Sequence, residues 1–377
     1  MTTWLVAGAP PPRSFDGFMT EFANRLLRLK MPIDALAFYS KHIHPMFPGN
    51  EVVWSGKRGI RRGTYAHDHI ASLGYTETPF GQAIENARVY RYDLSVPATE
   101  PEADVLGVYR RANYTDLVVL PLFDVDGVVN KCMGYATRAE GGFTEHNVTM
   151  MRRLQAPLAR ICQHFTDKSD QTVSLETYLG RGIGQKILEG QILRGEGETI
   201  SAVLLFVDLV GFTSFSNTTD NRDVINRLNM FFENIAASVE PNNGEILKFI
   251  GDGALVIFPV PDDLTAQEAA ARDALSSVQE ARKALRSTAV DQQFEFRAAL
   301  HLGDIFYGNI GSSDRLDFTA IGPAVNLASR LLQEAARLDA KTVCSREFYE
   351  IAELQECEET VCDLKGFGEP VSVFRIV

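Results

Sequence analysis

Two aspartates and a lysine stand where charged groups are costly. Residues 245–258, EILKFIGDGALVIF, read as two apolar strands folded about Gly251-Asp252-Gly253, so that one carboxylate is held at the tip of a hairpin. Lys248 lies inside the first of these strands, and its ammonium needs a partner there. Upstream, six apolar residues, Ala202 to Val207, run into Asp208, and Gly211 then breaks the strand. Two convergent carboxylates beside glycine-opened backbone suit hard divalent cations. Mg²⁺ takes one or two protein carboxylates and fills its other positions with water and substrate phosphate oxygens. Either Asp alone is explained by the turn that ends its strand; the pair together with Lys248 favours the metal reading.

The two aspartates are 44 residues apart, so the elements between them must bring them together. Thr219 and Asp220 offer N-caps, and Val224, Ile225, Leu228, Phe231, Phe232 and Ile235 recur at helical spacing. The order is strand, helix, strand, tight turn, strand. A right-handed crossover makes the first two strands parallel, and the third inserts between them antiparallel. The end of the first strand and the hairpin turn then share one edge of the sheet. Further on, a helix is expected over residues 265–286, a strand over 294–300, and a helix entered at Pro323. Asn326 and Arg330 are spaced to share one face of that last helix.

FVDLVGFT and GEILKFIGDGALVIF resemble the two metal-binding segments of the class III nucleotidyl cyclases, at that family's separation. The resemblance extends through RAALHLGDIFYGNIG and DFTAIGPAVNLASR and covers residues 199–377. It implies an α+β, ferredoxin-like or palm-type catalytic domain, with a βαββαβ core and extra C-terminal strands. It also implies two Mg²⁺ or Mn²⁺ ions held by Asp208 and Asp252 with help from the Leu209 carbonyl. Gly211, Phe212 and Thr213 would cradle phosphates with their backbone N–H groups. Arg297 matches a triphosphate-contacting arginine, and Lys365 a second triphosphate ligand, although relatives often have a lysine where Phe367 stands. Asn326 and Arg330 match the groups that orient the ribose and stabilise the reacting α-phosphate. Without the resemblance, Arg297 and the Asn326/Arg330 pair would read as solvated surface groups.

Lys248 can only donate, which suits adenine N1; Thr319 stands where many relatives have Asp and can both accept and donate. ATP is therefore the expected substrate and adenylate cyclase, a phosphorus–oxygen lyase forming 3′,5′-cyclic AMP and pyrophosphate, the expected activity. Guanylate cyclase and a catalytically silent dimerisation module are the alternatives. No Gly-Gly-Asp/Glu-Glu-Phe segment of the diguanylate type is present. The Thr319 departure resembles a subclass whose members respond to bicarbonate, which makes bicarbonate a candidate effector. The family further implies a head-to-tail homodimer with active sites at the subunit interface. One chain would give Asp208, Asp252 and Arg297, and its partner Lys248, Thr319, Asn326 and Arg330.

The 377 residues carry 37 basic and 49 acidic side chains, a net charge of −12, with no basic run. That argues against nucleic-acid partners and a polybasic membrane anchor. No apolar run reaches a membrane span, and the five cysteines form no disulfide framework. A cytoplasmic protein is expected. Residues 1–165 suggest an amphipathic helix over 14–30, a strand pair about Asp124–Gly127, and a helix from Glu145 to about His164. That order resembles a GAF-like α/β sensor domain binding an unidentified small-molecule effector. His42, His44, His67 and His69 cluster there, but no acidic or thiol partner stands at a ligating spacing, so packing or surface roles are favoured over metal or heme. Residues 166–198 form a linker whose repeated glycines exclude one long rigid helix. It is either a plain connector or a transmitter of sensor movement.

Overall fold

A computed structural model describes the chain except residues 8–11, 13, 42–46, 48, 66–74, 97–103, 262, 288–293 and 377. The histidines at 42, 44, 67 and 69 lie outside the described residues. Two compact units result, Met1–Ser174 and Leu175–Val377.

The first unit is built on six antiparallel strands: β1 (Ala35–Lys41), β2 (Gly49–Ser55), β3 (Gly59–Tyr65), β4 (Tyr90–Asp93), β5 (Asp116–Phe123) and β6 (Val129–Thr137), in the order β3-β2-β1-β6-β5-β4. Alternation decides which side chain faces which layer. Leu36, Phe38, Val118 and Leu120 meet the helices Phe15–Arg28 and Glu145–Leu179 on one face. Ala37, Tyr39, Leu117 and Val119 meet the helix Pro79–Glu85 on the other.

The second unit holds eight strands: β7 (Gly197–Leu209), β8 (Glu245–Ile250), β9 (Gly253–Val260), β10 (Phe296–Gly311), β11 (Leu316–Ile321), β12 (Thr342–Ser345), β13 (Cys357–Cys362) and β14 (Val371–Ile376). Their order is β13-β14-β12-β10-β7-β9-β8, with β11 paired to β10. As the topology argument required, β9 lies between β7 and β8 and is antiparallel to both. Val203, Leu205 and Val207 of β7 face the helices Asn221–Val239 and Leu264–Arg286. Ala202, Leu204 and Phe206 face the opposite layer, which contains the helices Arg181–Leu188 and Pro323–Arg337. Burial on both sides fixes the register, because a one-residue slip would turn every side chain to the wrong face. Each fully buried Phe, Leu or Val adds about 1.5–3 kcal/mol.

Several boundaries differ from expectation. The helix expected to end near His164 continues to Leu179, because no glycine or proline interrupts residues 158–179; Gly180, at φ +89, stops it. The linker is therefore largely helical, with a second helix at Arg181–Leu188. The strand expected over 294–300 runs to Gly311, its Gly308 lying flat on the backbone of Glu196 and Gly197. A short helix, Phe212–Thr218, intervenes before the one capped by Asp220.

Gly253 shows how tightly the central strands approach: a Cβ there would collide with the Val207 carbonyl oxygen. Gly253→Ala should therefore destabilise the protein by about 1–3 kcal/mol through overpacking. Urea denaturation checks this, and an unchanged midpoint would contradict so close an approach.

Candidate active site

Strand register makes the carboxylate pair. Asp208, the penultimate residue of β7, lies opposite Gly253, the neighbour of Asp252. Gly251 takes φ +62 in the turn between β8 and β9, which leaves Asp252 at the tip. On the other side of β7, Arg297 of β10 lies directly opposite Asp208. Parity puts Asp208 and Arg297 on the sheet face shared with the helices Arg181–Leu188 and Pro323–Arg337, because Val207 and Phe296 turn to the other layer.

The electrostatics follow from this geometry. Burial and the neighbouring Asp252 charge push the Asp208 carboxyl up to about 6, with Arg297 pulling the other way. Two like charges are thus held together against a single nearby guanidinium, an arrangement that a divalent cation relieves. Among the described residues no group of three or more His, Cys, Asp or Glu gathers as a metal site. The pair therefore fits an ion that takes its remaining ligands from water and phosphate, and does not fit an ion caged by protein.

The loop after β7 is held from behind. Val210 N–H donates to the Glu295 carbonyl at 2.9 Å. The Arg227 guanidinium lies 4.1 Å from the Phe215 ring centroid and 5.1 Å from that of Phe294. Gly211 (φ +73) precedes the helix Phe212–Thr218 and offers no side-chain cap. Gly211 and Thr213 are exposed and Phe212 half-buried; Leu209 and Gly211 line a cavity of about 120 Å³ with Phe215 and Arg227.

A second group forms around Lys248. Its Nζ donates to Asp317 Oδ2 at 2.7 Å, so the partner that a strand lysine needs is supplied by β11. Thr319, two residues farther along β11, is buried at 8 % exposure. Asp317 was not singled out from the sequence; the only signal was the unmet need of Lys248 for an anion. Asn326 is exposed, and Arg330 donates to Gln333 Oε1 at 2.9 Å. Among the described residues no hydrogen bond or ion pair ties Asn326 or Arg330 to either group. Lys365 is exposed on the loop between β13 and β14.

Comparison with known proteins bears on the same region. Residues 197–366 match the family described as the adenylate and guanylate cyclase catalytic domain. The uncharacterised protein MT1361 of Mycobacterium tuberculosis is 30 % identical over 204 residues, which cover 52 % of this chain and 35 % of that protein. The chain thus spans about a third of that relative's length. The crystal structure of the adenylyl cyclase CyaB from P. aeruginosa aligns with 26 % identity and a TM-score of 0.41, covering 48 % of this chain and 96 % of that one. The guanylyl cyclase Cya2 aligns equally well by both measures, covering 48 % of this chain and 92 % of its own.

The raised Asp208 value carries a sign. A carboxyl with a higher folded than unfolded pKa takes up protons on folding, so its contribution to stability falls as pH rises from about 4 through about 6 and is level above that. Without divalent cation at pH 7.5, Asp208→Asn should be more stable than the parent by on the order of 1 kcal/mol, allowing for screening of this half-buried group. Added Mn²⁺ should raise the parent's melting temperature and leave that of Asp208→Asn unchanged. Calorimetry checks both, and equal stabilisation of the two proteins by Mn²⁺ would count against the carboxylate pair as the ion's seat.

Proposed function

We propose that the domain matching the adenylate and guanylate cyclase family converts ATP to 3′,5′-cyclic AMP and pyrophosphate. The observation that carries this reading is the register that sets Asp208 between Gly253, the neighbour of Asp252, and Arg297, so that two carboxylates and a guanidinium lie at one strand end. Two Mg²⁺ or Mn²⁺ ions on Asp208 and Asp252, aided by the Leu209 carbonyl, would supply Lewis acidity at the 3′-hydroxyl and charge neutralisation at the triphosphate. The chain's own residues do the remainder. Arg297 grips phosphate oxygens bidentately, the amides of Gly211, Phe212 and Thr213 cradle others, and Lys365 adds charge from its loop. Arg330 stabilises charge on the α-phosphate, a contact of about 3–4 kcal/mol in such sites, while Asn326 orients the ribose.

Base choice falls to Lys248 and Thr319, and Asp317 adds to them. An ammonium beside a carboxylate offers adenine a donor for N1 and an acceptor for the N6 amino group. The same pair could meet guanine, with Lys248 donating to O6 and Asp317 accepting from N1–H. The Lys248–Asp317 contact is thus a specific reason to keep guanylate cyclase as the second reading, and product analysis with both nucleotides decides between them. Asp317→Ala should lower kcat/KM for the preferred nucleotide about tenfold through loss of one base contact.

Among the described residues no hydrogen bond or ion pair joins Asn326 or Arg330 to the Asp208 group, and Phe249, Ile250 and Ile321 leave about half of their surfaces exposed near Lys248, Asp252 and Thr319. Both features support a homodimer in which each active site combines Asp208, Asp252 and Arg297 of one chain with Lys248, Thr319, Asn326 and Arg330 of the other. Residues 1–165, which hold a six-stranded antiparallel sheet with helices on both faces, are read as a GAF-like regulatory domain that takes a small-molecule effector. Bicarbonate is a separate candidate effector at the catalytic domain, to be measured at fixed pH and matched ionic strength. Among the described residues no helix is long and apolar enough to cross a membrane.

Incubation with ATP and Mn²⁺ followed by product identification tests the activity directly; no cyclic nucleotide from either ATP or GTP would leave the silent-module reading. Equal mixtures of the two inactive variants Asp208→Ala and Arg330→Ala should recover about a quarter of parental activity, since half of the randomly formed dimers would hold one intact site. Mixed dimers that form and stay inactive would exclude shared sites.

A further inference from the structure

The connector helix Arg181–Leu188 begins without a cap of its own. Gly180 precedes it at φ +89 and brings no side chain to its first amides. Those of Gly182 and Ile183 instead face the carboxylate of Glu245, the first residue of β8. A Cβ at Gly182 would run into that carboxylate, so any larger residue there must displace the Glu245 side chain. Tyr307 of β10 donates its hydroxyl to Glu245 Oε2 at 3.3 Å. The other oxygen, Oε1, is shielded from solvent and makes no hydrogen bond of ordinary geometry. Burial raises the Glu245 carboxyl above its usual range, while Tyr307, the two amides and Lys186 draw it down.

The same helix is part of the core beneath the base-binding strands. Ile183 is 2 % exposed and belongs to one apolar cluster with Leu247 of β8 and Phe318 of β11. Lys186 pairs with Glu198 at 2.6 Å and lies 4.8 Å from the Tyr307 ring centroid and 5.8 Å from that of Phe318. The register of β8 against β9 shifts between Ile246 and Lys248, making Leu247 the extra residue. That bulge brings Glu245 and Lys248 to the same sheet face although three positions separate them.

We propose that Glu245 is a positioning residue: it caps the connector helix and, through that docked helix, holds β8 so that Lys248 stays aimed at β11. The role given to Lys248 rests on the cyclase reading above; the contact itself does not. Because the chain enters the catalytic unit through this helix, a displacement of residues 179–182 acts on Glu245 before it reaches any group that would touch nucleotide.

A double-mutant cycle in the full chain tests it, with Gly182→Ala, Glu245→Ala and their combination. Each single change should speed amide hydrogen exchange over residues 245–250 by about tenfold while leaving residues 298–302 protected. Each should raise KM for the preferred nucleotide about three- to tenfold and change kcat less. The pair should be no worse than Glu245→Ala alone, because the added methyl then has no carboxylate to strike. Glu245→Gln, which keeps the shape and one acceptor oxygen, should retain most of the protection. Additive effects, unaltered exchange over 245–250, or faster exchange throughout the sheet would each overturn the proposal. If the parent makes no cyclic nucleotide, the functional reading falls and the exchange data alone decide the contact. If Glu245→Ala does not fold, Gly182→Ala and Glu245→Gln carry the same test.

Discussion

A carboxylate on β7, flanked by a second carboxylate on one side and a guanidinium on the other, forms the constraint on which the second unit depends. Asp208 and Asp252 repel each other, and the backbone holds them in place regardless. Side-chain contacts could not do this, because a rotamer change would relieve the repulsion at small cost. Register can, since moving Asp208 away from Gly253 would slide β7 along β9 and expose the apolar residues of both. The apolar content of β7 and β9 is therefore what keeps the charged pair together.

The sheet divides its labour between its faces. One side meets the helices Asn221–Val239 and Leu264–Arg286 through Phe231, Ile235, Val278 and Leu285, an apolar cluster edged by Arg282, which donates to Thr342 Oγ1. The other carries Asp208, Arg297, Lys248 and Glu245 among the apolar residues that pack on Arg181–Leu188 and Pro323–Arg337. Polar groups tolerate that second face because each lies near a strand end or has a partner: Lys248 has Asp317 and Glu245 has Tyr307. Asp208, one residue from the end of β7, differs in having a like charge beside it, at the place where cation chemistry is proposed.

How much of this was legible depended on the kind of signal. β7 and the β8–β9 hairpin were readable because continuous apolar runs end in glycine, and their topology followed from the handedness of crossovers and the tightness of the turn. The far half of Glu145–Leu179 was not, because residues such as Lys168, Asp170 and Gln171 carry no apolar stripe although nothing in them stops a helix. The far half of β10 carries Gly303 and Gly308, residues that weaken a strand pattern, whereas Gly308 is needed for close approach to residues 196–197. Asp317 and Glu245 were missed for a shared reason: their importance lies in contacts across 69 and 62 residues, to Lys248 and Tyr307 respectively. No local pattern encodes such pairings.

Those two contacts matter because of where β8 lies. It ends the strand order and, among the described residues, has a ladder only with β9, a ladder that a bulge interrupts. An edge strand loses half of the hydrogen bonds that fix an interior one, and beyond Leu247 it is increasingly exposed, with Phe249 and Ile250 half open to solvent. Its position must therefore be set by side chains: Ile246 and Leu247 packed to either face, Glu245 against the connector helix, Lys248 against Asp317. β7, flanked by β9 and β10 along its length, needs no such help. The Asp208 end of the proposed site is thus anchored in the middle of the sheet, and the Lys248 end sits on an edge strand. On the function proposed above, a displacement of residues 179–188 would act on Lys248 through Glu245 and leave intact the β7–β9 and β7–β10 ladders that hold Asp208 in register.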